Sequence, residues 1–146
     1  MDPCVFCRII RGVEPAVIVY SDEYAVAFLD IAPVAPGHTL VVPRLHAERP
    51  EQLPPDHLCG LMRAAARVAP AVVEAVGAEG YNLLVNAGRA AGQVIMHVHV
   101  HIIPRRRGDG LRAIHAPSPR RRAGYDELEP VGEAIRRILA GRGGVG

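Results

Sequence analysis

The stretch His97-Val98-His99-Val100-His101-Ile102-Ile103 alternates three histidines with branched apolar residues. Strict alternation of this length is typical of a β-strand with one buried face. Because successive side chains on a strand point to opposite faces, His97, His99 and His101 share one face, and the apolar residues between them share the other. Same-face neighbours lie about 6.6–6.8 Å apart, so the stretch predicts a row of imidazoles roughly 13 Å long.

Three alternating imidazoles are compatible with three kinds of role. A structural role requires a hydrogen-bond partner for both ring nitrogens of each buried histidine. A zinc site can use two alternating strand histidines together with a third ligand. Nucleophilic catalysis is the third reading, because imidazole titrates near neutral pH and can attack phosphorus. The row alone leaves all three open.

The composition limits the chemistry that the chain can carry out. The 146 residues are 49% hydrophobic and 22% charged, which is typical of one soluble globular domain, 1–146. The absence of lysine excludes a P-loop lysine, a Schiff base and an adenylated lysine. A net charge of +2 predicts no general attraction to nucleic acid or membranes. Without a signal peptide or an apolar run long enough for a membrane span, we expect a cytoplasmic protein.

Periodicity and turn residues predict an α+β fold, with a five-stranded antiparallel sheet, one main helix and short terminal helices. The predicted strands are residues 17–20, 24–29, 38–42, 81–86 and 94–104. The main helix follows an N-cap at Asp56 and ends near Val76, and Pro70 is expected to kink or divide it.

The two ends of the chain carry the short helices. A helical turn begins near Cys4, and a last amphipathic helix places Pro130 in its first turn. The motif-bearing core covers about residues 4–110. An Arg-, Pro- and Gly-rich tail, with the short C-terminal helix, covers about residues 111–141.

The histidine row, followed by Pro104-Arg105, resembles the signature of the histidine triad (HIT) superfamily of nucleotide hydrolases and transferases. The resemblance runs from Cys4 to about Gly110, and includes Phe6-Cys7-Arg8-Ile9-Ile10, Phe28-Leu29-Asp30-Ile31, residues 36–46 and Gly92-Gln93. It implies a HIT-like fold and, among the branches, the Hint-like one, which acts on purine nucleoside phosphoramidates. It also implies a homodimer whose sheets continue across the interface.

The resemblance implies a mechanism with a covalent intermediate. His99 would attack the α-phosphorus of a bound nucleotide, while a backbone carbonyl keeps the proton on its other ring nitrogen. Water would then cleave the nucleotidyl-histidine. His101 would contact the phosphate and help to protonate the leaving group.

Other residues would bind the substrate, such as AMP or a nucleoside phosphoramidate, by the same resemblance. Gln93 and nearby amides would donate to phosphate oxygens, and Asn86 would support the phosphate pocket. Asp30 would accept hydrogen bonds from ribose hydroxyls. The apolar cleft around the nucleobase would consist of Phe6, Ile9, Leu29 and Ile31.

Val94 departs from the family pattern, which commonly has Ser or Thr directly after the glutamine. The missing hydroxyl removes one hydrogen-bond donor to the phosphate or leaving group. A neutral hydrogen bond contributes about 0.5–1.5 kcal/mol, so we expect reduced rather than abolished activity.

Cys4 and Cys7 form a CxxC pair with three possible roles: a redox pair, two incidental cysteines, or half of a zinc site. In HIT relatives with this pair, the remaining ligands are a histidine after the third strand and the first histidine of the triad. Those positions are His46 and His97, so the resemblance implies a structural Cys₂His₂ zinc site. His99 and His101 would then remain for chemistry.

The sequence therefore predicts a HIT-type hydrolase that cleaves nucleoside phosphoramidates at the α-phosphate. Three alternatives stay open. One is a dinucleoside polyphosphate hydrolase, and another is a nucleotidyltransferase or phosphorylase of the same superfamily. The third is a catalytically weak purine-nucleotide-binding protein, for which Val94 is the best argument.

Overall fold

The computed structural model describes residues 2–111 and 121–142 of the chain. The strands are β1 (Ile18–Ser21), β2 (Ala25–Leu29), β3 (Thr39–Pro43), β4 (Gly80–Leu84) and β5 (Val100–Arg105). The α-helices are α1 (Val5–Ile10), α2 (Pro55–Val76) and α3 (Tyr125–Arg142), with single 3₁₀ turns at Pro50–Gln52 and Arg89–Ala91. Most of the tail predicted to be irregular, residues 112–120, lies outside the described residues.

The five strands form one antiparallel sheet in the order β1-β2-β3-β5-β4. β1 and β2 form a hairpin whose turn is held by Asp22. Its carboxylate accepts hydrogen bonds from the Tyr24 and Ala25 amides at 2.8 and 2.9 Å, as aspartates in turns commonly do. The α+β class and the five-stranded antiparallel sheet predicted from the sequence are confirmed.

The strand that carries the histidine row is shorter than the alternation predicts. β5 begins at Val100, so the first two histidines precede it, and the predicted strand over 94–104 is wrong at its start. Pro43 ends β3 and has no N–H with which to continue the ladder. The Val98 amide donates instead to the carbonyl of Ala47, at 2.7 Å, in the loop that follows β3.

The predicted alternation of faces nevertheless holds. Val98, Val100 and Ile102 are at most 1% exposed and pack in the core cluster beneath α2. His97 and His99 lie on the opposite face, where both rings contact the α1 side chain Phe6 edge-on. One face of the sheet therefore forms the main core, and the other displays the imidazoles.

α2 covers the core face as one continuous helix. It begins at Pro55 with Pro54 as its N-cap, so the predicted N-cap at Asp56 is wrong; proline is favoured at the first helical position. Pro70 neither ends nor divides the assigned helix. Pro70 and Ala66, whose carbonyl loses its usual partner, are both exposed, so water can hydrate that carbonyl.

α3 is longer than the short terminal helix predicted from the sequence. It has 18 residues and begins at Tyr125, so Pro130 lies in its second turn rather than its first. Acidic residues in its first turn favour this early start, because they stabilise the positive end of the helix dipole. Leu128, Ile135 and Leu139 join the main core. Among the described residues, no helix is both long and apolar enough to span a membrane.

Candidate active site

His99 lies on the imidazole-bearing face and is held in one tautomer. Its Nδ1–H donates to the carbonyl oxygen of His97 at 2.7 Å. Because a carbonyl oxygen can only accept, the ring proton lies on Nδ1 and the lone pair lies on Nε2. The ring is 7% exposed, and the ring of Phe6 packs edge-on against it with centroids 5.2 Å apart. These contacts fix the direction of the Nε2 lone pair.

Burial also sets the charge of this ring. It lowers the pKa of His99 below the ordinary value of 6.5, and this effect exceeds the opposing effects of the His97 carbonyl and of the negative charge on Asp30. The ring is therefore neutral at pH 7. A neutral, oriented imidazole can act as a nucleophile.

His101 is held by a chain of hydrogen bonds that begins at the backbone of Val34. The Val34 N–H donates to His38 Nδ1 at 3.1 Å, so the proton of His38 lies on Nε2. That N–H donates to His101 Nδ1 at 3.0 Å, so His101 carries its own proton on Nε2. Asp30 Oδ2 lies 3.6 Å from His38 Nε2. This chain orients His101 as a donor from Nε2, a contribution of His38 that the sequence reasoning missed.

Apolar side chains border the histidines on the side of α1. Phe6 and Ile9 pack there with Phe28 and Leu40 in a second buried cluster. Leu29, which the sequence predicts in this cleft, belongs instead to the main core beneath α2 and is 2% exposed. Neighbouring residues on β2 face opposite sides of the sheet, so Phe28 takes the place predicted for Leu29.

Asp30 and Ile31 follow β2 at the edge of this cluster. The Asp30 carboxylate accepts a hydrogen bond from the Ala32 amide at 2.9 Å, and the Asp30 amide donates to the carbonyl of His38 at 2.9 Å. Asp30 is 8% exposed, whereas Ile31 is 38% exposed. The structure thus places the predicted ribose acceptor beside His38 and leaves Ile31 accessible.

Asn86 lies against the loop that precedes the histidine row. A Cβ built on Gly92 would lie 3.5 Å from Asn86 Nδ2, and Gly92 has a φ of +99°. Glycine adopts this backbone conformation without strain. The segment that follows β4 therefore contacts the loop at Gly92, through the side chain of Asn86.

Gln93 is 3% exposed, and its amide group is used inside the protein. Oε1 accepts the Gly88 amide at 2.8 Å, and Nε2 donates to the carbonyls of Glu48 at 2.8 Å and Ile95 at 3.0 Å. Both amide hydrogens thus go to backbone carbonyls, so the side chain holds the loop in shape. Its predicted donation to phosphate stays a prediction. Val94, the next residue, is 82% exposed.

Four candidate metal ligands converge beside the row: Cys4, Cys7, His46 and His97. His97 Nδ1 lies 3.4 Å from Cys4 Sγ and 3.6 Å from Cys7 Sγ. His46 Nδ1 lies 3.4 Å from Cys7 Sγ and 3.1 Å from His97 Nδ1. Tetrahedral zinc with its usual bond lengths separates S from N by about 3.6 Å and N from N by about 3.3 Å. The four residues fit a Cys₂His₂ zinc centre.

His97 is already oriented as a metal ligand. Its Nε2–H donates to the carbonyl of Pro43 at 2.8 Å, which leaves the Nδ1 lone pair facing the cysteines. Burial lowers its pKa to about 4, so the ring is neutral at pH 7. Burial, together with neighbouring Cys4, raises the pKa of Cys7 to about 11. Binding of a divalent cation here would therefore release thiol protons.

Comparison with known proteins identifies relatives of this site and fold. The HIT domain family model matches residues 11–108. An uncharacterised HIT-like protein of Methanocaldococcus jannaschii is 50% identical over 107 residues, 73% of this chain and 82% of that protein. An adenylylsulfatase of Arabidopsis thaliana is 44% identical over 110 residues, 75% of this chain and 56% of that protein. An adenosine 5′-monophosphoramidase of Schizosaccharomyces pombe is 40% identical over 102 residues, 70% and 74% of the two chains.

The solved structures include a close match to the whole fold. The crystal structure of a Zn-bound histidine triad family protein from Mycobacterium smegmatis superimposes with a TM-score of 0.84 at 37% sequence identity. The match covers 99% of this chain and 98% of that chain. The sheet and helices described above therefore have an experimental counterpart.

The buried side-chain amide of Gln93 should contribute to the stability of the fold. Gln93→Glu replaces two buried donors with acceptors that face the carbonyls of Glu48 and Ile95. We expect the free energy of unfolding to fall by about 1–3 kcal/mol, measured by urea denaturation. The neighbouring exposed substitution Val94→Ser should change it by less than about 0.5 kcal/mol. Equal stability of both variants would contradict the proposed role of Gln93 in holding the loop.

Proposed function

Because this chain belongs to the histidine triad (HIT) family, we propose that it hydrolyses nucleoside 5′-phosphoramidates at the α-phosphorus through a nucleotidyl-His99 intermediate. The observation that carries the proposal is the hydrogen bond from His99 Nδ1–H to the His97 carbonyl, which keeps the lone pair on Nε2. Relatives named adenylylsulfatase and adenosine 5′-monophosphoramidase support a nucleotide hydrolase in general.

The first step forms a bond from His99 Nε2 to the α-phosphorus and breaks the bond from phosphorus to the amine nitrogen. The leaving nitrogen takes a proton from solvent, while the neutral His101, oriented by the hydrogen bond from His38, donates a hydrogen bond from Nε2 to the phosphate or the leaving group. Preorganised lone pairs and donors lower the barrier because they need no rearrangement during the reaction. The products of this step are a free amine and nucleotidyl-His99.

The second step releases the nucleotide. Water attacks the phosphorus, the bond to His99 Nε2 breaks, and the attacking water gives up its proton to solvent. The His97 carbonyl still holds the Nδ1 proton of His99, so the ring leaves as a neutral imidazole. The cycle therefore consumes one water and yields a nucleoside monophosphate.

The surrounding side chains suit a purine nucleotide. Phe6, Ile9 and Phe28 offer an apolar wall for a base, and accessible Ile31 can cover its open side. The carboxylate of Asp30 can accept hydrogen bonds from ribose hydroxyls. Asn86, Gln93 and backbone amides near Gln93 would bind phosphate oxygens.

Other HIT chemistries use the same groups, so the leaving group decides between them. A dinucleoside polyphosphate would offer a nucleotide as leaving group, and a transferase or phosphorylase would replace water with another acceptor. The side chain of Val94 is exposed and has no hydroxyl, which favours another alternative, a catalytically weak nucleotide-binding protein. The monophosphoramidase relative supports the phosphoramidate reading.

We propose that Cys4, Cys7, His46 and His97 hold a structural zinc ion. The fit of their separations to tetrahedral geometry supports the site, as does the Zn-bound histidine triad protein of similar fold. When bound, zinc would crosslink α1 to the segment before β5 and would position the carbonyl of His97.

We also propose a homodimer that pairs through β4. Among the described residues, this strand lies at the edge of the sheet and pairs with β5. Tyr81 and Leu83 on one of its faces are 41% and 38% exposed. An open edge with exposed apolar side chains is a template for a second strand.

A kinetic panel tests the proposed reaction. We expect a higher kcat/KM for adenosine 5′-phosphoramidate than for diadenosine polyphosphates, and a loss of about 10³-fold or more in His99→Ala, which lacks the nucleophile. Circular dichroism checks that this variant folds. A higher kcat/KM for the polyphosphates would favour a dinucleoside polyphosphate hydrolase. Tight AMP binding without turnover would identify a nucleotide-binding protein.

Metal analysis tests the zinc site. Protein purified without a His-tag under reducing conditions should contain about one zinc per chain, because the four ligands fit tetrahedral coordination. Cys7→Ser should lower this content, whereas Cys59→Ser, an exposed cysteine of α2, should not. Wild-type protein with a zinc content near zero would reject the site.

A further inference from the structure

The loop next to His99 offers few side-chain donors to a leaving group. Both amide hydrogens of Gln93 are bound to backbone carbonyls, and Val94 is apolar and 82% exposed. The other side chains of this loop between Gly88 and Gly92 are one arginine and two alanines. Arg89 is therefore the one charged side chain between Gly88 and Gly92.

Arg49 is brought to this loop by the segment that follows β3. The Val98 amide, adjacent to His99, donates to the Ala47 carbonyl at 2.7 Å. The backbone carbonyl of the next residue, Glu48, accepts a hydrogen bond from Gln93 Nε2 at 2.8 Å. Two residues span at most about 7 Å, so the backbone of Arg49 stays close to the histidine row.

The guanidinium of Arg49 folds back over Gly88. A Cβ built on Gly88 would lie 3.0 Å from Arg49 Nη2, and Gly88 has a φ of +94°. A side chain at this position would be strained and would press on the guanidinium. Arg89 follows Gly88 directly in the chain, so a second positively charged residue lies at this end of the loop.

Arg49 makes no ion pair with the residues that the structure describes. Arg49 and Arg89 are exposed, and neither takes part in the ion pairs found within residues 2–111 and 121–142. By contrast, Arg105 is paired with Asp109 at 2.8 Å. A guanidinium held against a substrate loop without a carboxylate partner is suited to an anion of the substrate.

We infer that Arg49, assisted by Arg89, forms a subsite for a negatively charged leaving group. The inference rests on the proposed function and specifies its substrates: phosphoramidates whose amine carries a carboxylate. A guanidinium can bind a carboxylate through two parallel hydrogen bonds, which also orients the amine. Leaving groups with a positive charge are disfavoured.

Two matched substrates test the subsite: the adenosine 5′-phosphoramidates of β-alanine and of β-alaninamide, which differ in one charge. In wild type, kcat/KM for the carboxylate should exceed that for the amide, and Arg49→Gln should reduce this ratio by about threefold or more. Comparing the same two substrates in both proteins cancels their intrinsic reactivity. Arg63→Gln, an exposed arginine of α2, should keep the wild-type ratio.

The outcomes separate the subsite from the proposed reaction. An unchanged ratio in Arg49→Gln, or an equal loss in Arg63→Gln, would overturn the subsite while leaving phosphoramidate hydrolysis intact. If wild type hydrolyses neither compound, the proposed reaction fails. In that case, Kd values of the two compounds measured by calorimetry decide the subsite. The preference for the carboxylate compound should still fall in Arg49→Gln. The same ratio of Kd values in wild type and in Arg49→Gln would reject the subsite.

Discussion

The hydrogen bond from His99 Nδ1–H to the His97 carbonyl, 2.7 Å long, is the constraint on which the site depends. It assigns the tautomer of His99, with the proton on Nδ1 and the lone pair on Nε2. The carbonyl can serve this purpose only if His97 is itself fixed. His97 is fixed by a 2.8 Å hydrogen bond from its ring to the carbonyl of Pro43, by complete burial and by contact with Phe6.

The same stretch serves two purposes because its faces differ. Its apolar side chains lie in the main core under α2, so the backbone that carries the imidazoles is anchored by burial of apolar surface. On the other face, the N-terminal segment brings Cys4 and Cys7 to His97, while His38 reaches His101. The three imidazoles thus have different partners although the sequence makes them look equivalent.

Periodicity and motif order predict much of this molecule, and local hydrogen bonding decides what they miss. The sheet, the long helix and the division of faces follow from apolar patterns. The start of β5 does not, since it depends on the missing N–H of Pro43. Phe28, rather than the predicted Leu29, lies beside the histidines, because side chains one residue apart on a strand point to opposite faces of the sheet. The inward amide of Gln93 and the bond from His38 to His101 depend on distant chain segments that no local pattern encodes.

The covalent intermediate on His99 is the central claim, and rapid-quench intact-mass spectrometry with adenosine 5′-phosphoramidate tests it most directly. The account predicts a transient adduct of one adenylyl group on wild-type protein, mapped by peptide analysis to His99 and absent from His99→Ala. AMP formation by wild type with no adduct at any quench time, or an adduct that persists in His99→Ala, would contradict it.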